Sequence, residues 1–334
     1  MIKFYKFLFF NMMILGTLIA ISSYSWFSMW LGLEINLLSV IPLFNSMKNY
    51  FPSESALKYF ITQSMASTII LFSILNFINE NEMIFMKNNL NLIIFNSALL
   101  TKMGAAPFHY WFPEIMEGLS WMNNLIVLTW QKLAPFMIIS YNIQPSIFIM
   151  FSIICSSLIG GIMGFNQISL RKLLTFSSIN HIAWMMSSMF ISNWIWFLYF
   201  FIYTLISFIL ILSFNYFNMI YIYQLFNIKF NSNNINFIFL LNFFSLGGLP
   251  PFLGFLPKWL TINGLNIMNL YMISFILIIL TLITLYFYIR ITFYSLMFIN
   301  NELMTYKFKI MNFTLMMISS LNLIGLMIIP LIFN

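Results

Sequence analysis

A chain of 334 residues that is 62% hydrophobic and 6% charged is not an ordinary soluble domain, since such domains carry about 25% charged residues. Its mean hydropathy of +0.94 describes a polytopic membrane protein with no room for a large extramembrane domain. The net charge of +7 does not indicate nucleic acid, because no basic run exceeds Arg171-Lys172, and the single Cys155 excludes an internal disulfide.

Windows of about twenty apolar residues predict an all-α polytopic fold. Eleven spans are expected near 4–23, 26–46, 57–79, 91–118, 121–142, 145–165, 169–190, 194–220, 235–263, 267–298 and 311–332. The first run, flanked by Lys3 and Lys6, lacks a small-residue cleavage site and is expected to be retained as a helix. The joins are short and rich in Asn, Ser and Pro, so residues 1–334 form a single transmembrane domain. The 41 Phe, 26 Met and absence of Asp suit an AT-rich organellar gene.

Alternation over eleven spans gathers Lys3, Lys6, Lys48, Lys58, Arg171, Lys172, Lys229, Arg290, Lys307 and Lys309 on one face. The other face keeps only Lys87. The positive-inside rule then places the N-terminus inside and the C-terminus outside.

Residues 99–135 read LLTKMGAAPFHYWFPEIMEGLSWMNNLIVLTWQKLAP. They put Lys102 and Lys132 inside two neighbouring apolar segments, close to Pro107, Pro113 and Pro135. A lysine at the centre of a bilayer costs roughly 2.5–3.5 kcal/mol on insertion scales. Prolines break helices and free a carbonyl four residues back, here Met103 and Gln131. A broken helix beside a buried ammonium describes an ion path.

The same punctuation recurs. GAAPFHYWFPE at 104–114 aligns with GLPPFLGFLPK at 248–258, with a constant offset (251 − 107 = 144). The copies fall in spans four and nine, so they insert in opposite directions. That predicts an inverted repeat, approximately 57–190 and 194–298, with two discontinuous helices. Lys258 follows Pro257 in the second copy.

Glu34, in WLGLEINLL, is the only carboxylate well inside a predicted span; it is either a structural counter-ion or a partner for Lys102. His109 lies beside the first break and could cap a freed carbonyl. His181, in FSSINHIAW, could extend a polar chain or satisfy Ser177 or Ser178. Glu114 and Glu117 are expected at the surface. No metal cluster, phosphate loop, nucleotide fingerprint or haem-spaced histidine pair is present in the sequence.

Residues 99–135, together with GLEINLLSVIPL, LRKLLTFSSINHIAWM and SLGGLPPFLGFLPKW, resemble the subunit-2 family of mitochondrial NADH:ubiquinone oxidoreductase. These are antiporter-like membrane subunits of respiratory complex I, related to subunits of cation/proton antiporters. The resemblance implies a proton channel in the membrane arm, with Glu34 and Lys102 as coupling pair, Lys132 as central relay and Lys258 towards the exit. His181 and His109 are further candidates. It implies no cofactor in this chain, while NAD, FMN, iron–sulfur clusters and ubiquinone belong to the assembled complex. Implied partners are other membrane-arm subunits, including 4 and 4L and the long lateral helix of subunit 5, and lipids such as cardiolipin, with no nucleic acid. The implied location is the mitochondrial inner membrane, N-terminus in the matrix and C-terminus in the intermembrane space. Two rival readings stay open: a cation/proton antiporter subunit, which would want further intramembrane acids, and a structural subunit whose lysines only lock helices.

Overall fold

A computed structural model describes residues 4–44, 51–79, 89–226 and 233–297. The predicted span at 311–332 lies outside them, as do Lys3, Lys48, Lys87, Lys229, Lys307 and Lys309. The described residues form helices: α1 (Phe4–Ser22), α2 (Trp26–Phe44), α3 (Phe51–Asn79), α4 (Asn89–Met103), α5 (Trp111–Gly118), α6 (Trp121–Leu128) and α7 (Trp130–Tyr141) come first. Then follow α8 (Ile147–Gly164), α9 (Leu170–Met189), α10 (Asn193–Tyr216), α11 (Ile222–Phe226), α12 (Asn233–Gly247), α13 (Phe255–Ile267) and α14 (Tyr271–Met297).

Six of these, α1, α2, α3, α8, α10 and α14, are long and apolar enough to cross a membrane. Helices suit lipid because each satisfies its own backbone. The hydroxyls follow the same rule. Those of Ser39, Ser73, Ser152, Ser156, Ser178, Ser187 and Ser245 each donate to the carbonyl three residues back, at 2.7–3.0 Å. Helix α9, at 20 residues, is longer than α1, α2 and α8 but far more polar, with Thr175, Ser177, Ser178, Asn180 and His181 along it. It tolerates them because every residue from Leu173 to Met189 is buried. It coincides with the span expected at 169–190.

The chain packs as two compact units that divide between Phe148 and Ile149. In the first, α1 and α2 pack backbone against backbone. A Cβ on Gly16 would lie 2.8 Å from the Asn36 nitrogen, and one on Gly32 would lie 2.5 Å from the Ala20 nitrogen. Small residues of this kind let helices in lipid approach closely. Helix α3 packs on α2, α4 and α5, and α7 on α1, α4 and α6. In the second unit α9 is surrounded by α10, α13 and α14, with α12 on α10 and α14. Gly160 of α8 lies flush on α9, where a Cβ would meet the Phe176 carbonyl and Asn180 nitrogen at 2.8 Å.

The turns that follow α4 in the first unit and α12 in the second share one backbone pattern. After α4, Gly104 takes φ +75° while Gly104 and Ala105 donate to the carbonyls of Thr101 (3.1 Å) and Leu100 (3.0 Å). After α12, Gly248 takes φ +76° while Gly248 and Leu249 donate to Ser245 and Phe244, both at 3.2 Å. This doubly bonded end with a left-handed glycine closes off orphan carbonyls. The peptides before Pro107 and Pro251 are both cis. In both turns the phenylalanine after the proline, Phe108 or Phe252, donates to the residue three back, at 2.9 and 3.0 Å.

Candidate functional site

In the first unit, Lys102 occupies the last turn of α4 and is buried, although α4 is only 15 residues long. A helix C-terminus carries partial negative charge and attracts a cation. Glu34, half-buried on α2, adds an attracting carboxylate whose charge reaches Lys102. Among the described residues no contact ion pair joins the two; the contact pairs given by Glu54 and Glu114 with Lys58, each at 3.1 Å, lie at the surface. Glu114 is exposed, as expected.

The carbonyls at the end of α4 have side-chain donors. Trp111 Nε1 donates to the Thr101 carbonyl at 3.0 Å, and Gln63 Nε2 reaches the Lys102 carbonyl at 3.5 Å. His109 is buried in the turn itself, with Nδ1 3.3 Å from the Pro107 carbonyl and its ring 4.4 Å from that of Tyr110. The histidine therefore closes the turn on its own backbone.

Lys132 is buried in the first turn of α7. The predicted span 121–142 is interrupted at Thr129, six residues before Pro135 (135 − 129 = 6), where Thr129 Oγ1 and backbone nitrogen both donate to the Leu125 carbonyl. The Lys132 ammonium lies 5.2 Å from the centroid of the Phe112 ring, within range of a cation–π contact. Phe112 also lies against Gly104, where a Cβ would come within 3.0 Å of the ring. One aromatic side chain thus joins the turn after α4 to the lysine of α7.

Beside Lys102 is a small polar cell. Gln131, the residue before Lys132, donates from Nε2 to Asn36 Oδ1 at 3.0 Å and accepts from the Tyr59 hydroxyl at 3.3 Å. Asn36, Tyr59, Gln63, Lys102 and Gln131, with Leu33, Leu37 and Pro135, enclose a cavity of about 20 Å³.

In the second unit, Lys258 is buried in the first half of α13 and donates from Nζ to the Gly247 carbonyl at 2.8 Å. Its ammonium is 5.8 Å from the Trp184 ring. Gly248 has to lack a side chain for this reach, because a Cβ there would lie 2.8 Å from Lys258 Cδ. His181 on α9 is buried with Nδ1 3.0 Å from the Tyr199 hydroxyl and its ring 5.1 Å from that of Tyr203. Tyr199 belongs to α10, while the hydroxyls of Ser177 and Ser178, a turn behind, donate to carbonyls of their own helix.

The family profile of the NADH:quinone oxidoreductase/Mrp antiporter membrane proteins matches residues 23–284, most of the chain and both turns. The chain belongs to this family. It is 52% identical to NADH-ubiquinone oxidoreductase chain 2 of Anopheles gambiae, over 90% of this chain and 89% of that one. It is 50% identical to the protein of the same name from Aedes aegypti, over 98% of this chain and 97% of its relative. Among solved structures it is similar to a chain of respiratory complex I from Thermus thermophilus with bound aureothin, at 20% identity and a TM-score of 0.84. That match covers 98% of this chain and 80% of the other, so the likeness is one of fold.

Within this family member, the structure brings Glu34, Lys102, His109 and Lys132 into the first unit, and His181 and Lys258 into the second. Sequence reasoning missed Asn36, Tyr59, Gln63 and Gln131. A signal existed for two of them: Asn36 lies two residues after Glu34, and Gln131 directly before Lys132.

Proposed function

We propose that this chain is a proton-translocating subunit of the membrane arm of complex I, the NADH:ubiquinone oxidoreductase of the mitochondrial inner membrane. The observation that carries the reading is the burial of Lys102, Lys132 and Lys258 at helix ends, in a chain belonging to this family. Lys102 has an attracting carboxylate without a contact ion pair, so its charge is not locked to one fixed partner. An opposite charge at 4 Å is worth about 4 kcal/mol at an effective dielectric of 20, against about 1 kcal/mol in water. Moving Glu34 towards or away from Lys102 therefore decides whether that lysine keeps a proton.

On this reading α4–α5 and α12–α13 are the discontinuous spans of an inverted repeat of eleven crossings. Glu34, Lys102, Lys132 and Lys258 carry the proton, and His181 and His109 serve beside them. The chain holds no flavin, iron–sulfur cluster or quinone of its own, and NADH oxidation reaches it through charge and conformation. Its neighbours are other membrane-arm subunits, among them 4 and 4L and the lateral helix of subunit 5, with cardiolipin at the lipid face. The N-terminus lies in the matrix and the C-terminus in the intermembrane space.

The test replaces Lys102 by Met and by Arg at the equivalent position of a bacterial complex I. Met removes the charge and keeps the stem; Arg keeps the charge but releases no proton at any working pH. Both variants should assemble, pump poorly and oxidise NADH slowly when coupled. Full pumping by both would leave Lys102 as scaffold and end the reading.

A further inference from the structure

The amides beside Lys102 are the part of this site that the lysine relay leaves unexplained. Burying an amide without partners costs on the order of 1–3 kcal/mol. Asn36, Gln63 and Gln131, on three different helices, are nevertheless all buried around one lysine. Their arrangement is over-determined. The Gln131 carboxamide is held at both ends, its nitrogen on Asn36 at 3.0 Å and its oxygen by Tyr59 at 3.3 Å. Gln63 reaches the Lys102 backbone, and so holds the strip of α4 that carries the lysine. These groups enclose about 20 Å³, and a cell of that size with several polar walls takes one water.

We propose that Gln131, fixed between Asn36 and Tyr59, is a positioning residue for proton exchange at Lys102, framing a single-water cell through which the proton leaves. This rests on the proton-path reading of Lys102. In the step, one N–H bond of the ammonium breaks and its proton joins the water oxygen. One of the water's original protons leaves with cleavage of its O–H bond to a second water beyond the cell. Neutral amine and intact water remain, and no electron moves. An amide neither gains nor loses a proton in this range; its part is to orient the water, so that transfer is not delayed by rotation. Gln131 and Lys132 are consecutive, so the residue that frames the cell is covalently joined to the next lysine.

The test uses Gln131→Met, Gln131→Glu and Tyr59→Phe in the assembled bacterial complex, with Lys102→Met alongside. The readouts are protons moved per NADH, coupled turnover, and the ratio of turnover in H₂O to that in D₂O. Gln131→Met matches the size of the side chain without its polar ends and should slow coupled turnover about tenfold, the loss expected for one hydrogen bond in the transferring state. Its isotope ratio should rise as the single-water step becomes limiting. Gln131→Glu, polar at the same place but charged beside Lys102, should restore the isotope ratio rather than the full rate. Tyr59→Phe removes one hydroxyl and should give a smaller loss with the same rise in isotope ratio. Should Gln131→Met fail to assemble, the Tyr59→Phe ratio decides, and an unchanged ratio overturns the proposal. Equal losses in Met and Glu with an unchanged ratio would also overturn it, since they mark a merely structural glutamine. If Lys102→Met abolishes pumping while Gln131→Met retains it, the cell is refuted and the lysine path stands; if Lys102→Met pumps fully, the path itself falls.

Discussion

The turns after α4 and α12 share a backbone and differ in what they do with a lysine. Both end with a left-handed glycine and the same pair of amide-to-carbonyl bonds. After α4, the carbonyl end is covered by neutral donors, Trp111 on Thr101 and Gln63 on Lys102, and the lysine side chain turns to a polar cell. After α12, the lysine is itself the donor, with Lys258 on the Gly247 carbonyl. By the repeat offset Lys258 corresponds to Glu114 (258 − 144 = 114), which sits exposed on Lys58. The cations at the two carbonyl ends therefore come from non-equivalent positions. What the copies have in common is a negative helix end presented to a buried ammonium; which residue supplies the ammonium is free to differ.

The sharpest way to break this comparison is to fill the glycines. Gly248→Val adds a branched side chain at φ +76° where even Cβ would sit 2.8 Å from Lys258. Backbone strain and overpacking together should cost about 3 kcal/mol or more. The lysine should leave Gly247, and pumping should fall with it. Gly104→Val has the same backbone penalty, but its nearest neighbour is the Phe112 ring at 3.0 Å. It reaches Lys132 one contact removed and should spare more of the pumping. Unfolding midpoints of the assembled complex, read against protons per NADH, would separate the two; equal pumping losses would remove the distinction.

A second pair weighs the donors. Lys258→Met takes the side-chain donor from the Gly247 carbonyl and should cost about 1–3 kcal/mol. Trp111→Phe should cost less, about 0.5–1 kcal/mol, because the Thr101 carbonyl still accepts from the Gly104 amide. The reverse order in thermal melts would mean that Lys258 is not a cap.

The smallest effect is expected at Ser178→Ala. Its hydroxyl donates to the Thr175 carbonyl of its own helix at 2.7 Å. Stability and pumping should stay within about 0.5 kcal/mol of the parent. A larger loss would mean that the serines of α9 belong to the polar path around His181.

How much of this was legible follows from how each signal is carried. The lysines stood out because charge is scarce in the chain, and the turns because Gly and Pro repeat in order with one offset. The sequence also assigned Lys102 and Lys132 to one neighbourhood, and Phe112 links their surroundings. The amide cell was not legible. Asn and Gln are scattered by composition, and the bond from Gln131 to Asn36 spans 95 positions, with no period to betray it. The break at Thr129 was missed for a related reason. Pro135 is the breaker the sequence offers, yet the helix opens six residues earlier (135 − 129 = 6), where the Thr129 hydroxyl and amide converge on the Leu125 carbonyl. For His181 the sequence leaves open a polar chain or a serine of its own helix, and the Tyr199 contact comes from helix packing that no local pattern announces.

The glycine contact between α1 and α2 bears on the order in which the molecule is put together. These helices are consecutive, joined by a bend at 23–25, and meet along Gly16, Ala20 and Gly32. Contacts so local form before distant ones, because little chain has to be closed to make them. The hairpin can therefore zip in the bilayer while α7 is still unmade, and Gly16 fixes the stretch of α2 that carries Asn36. Asn36 is then in place as the docking point for Gln131. A methyl group wedged at Gly16 would be felt first in the timing of that docking, well before any proton moves.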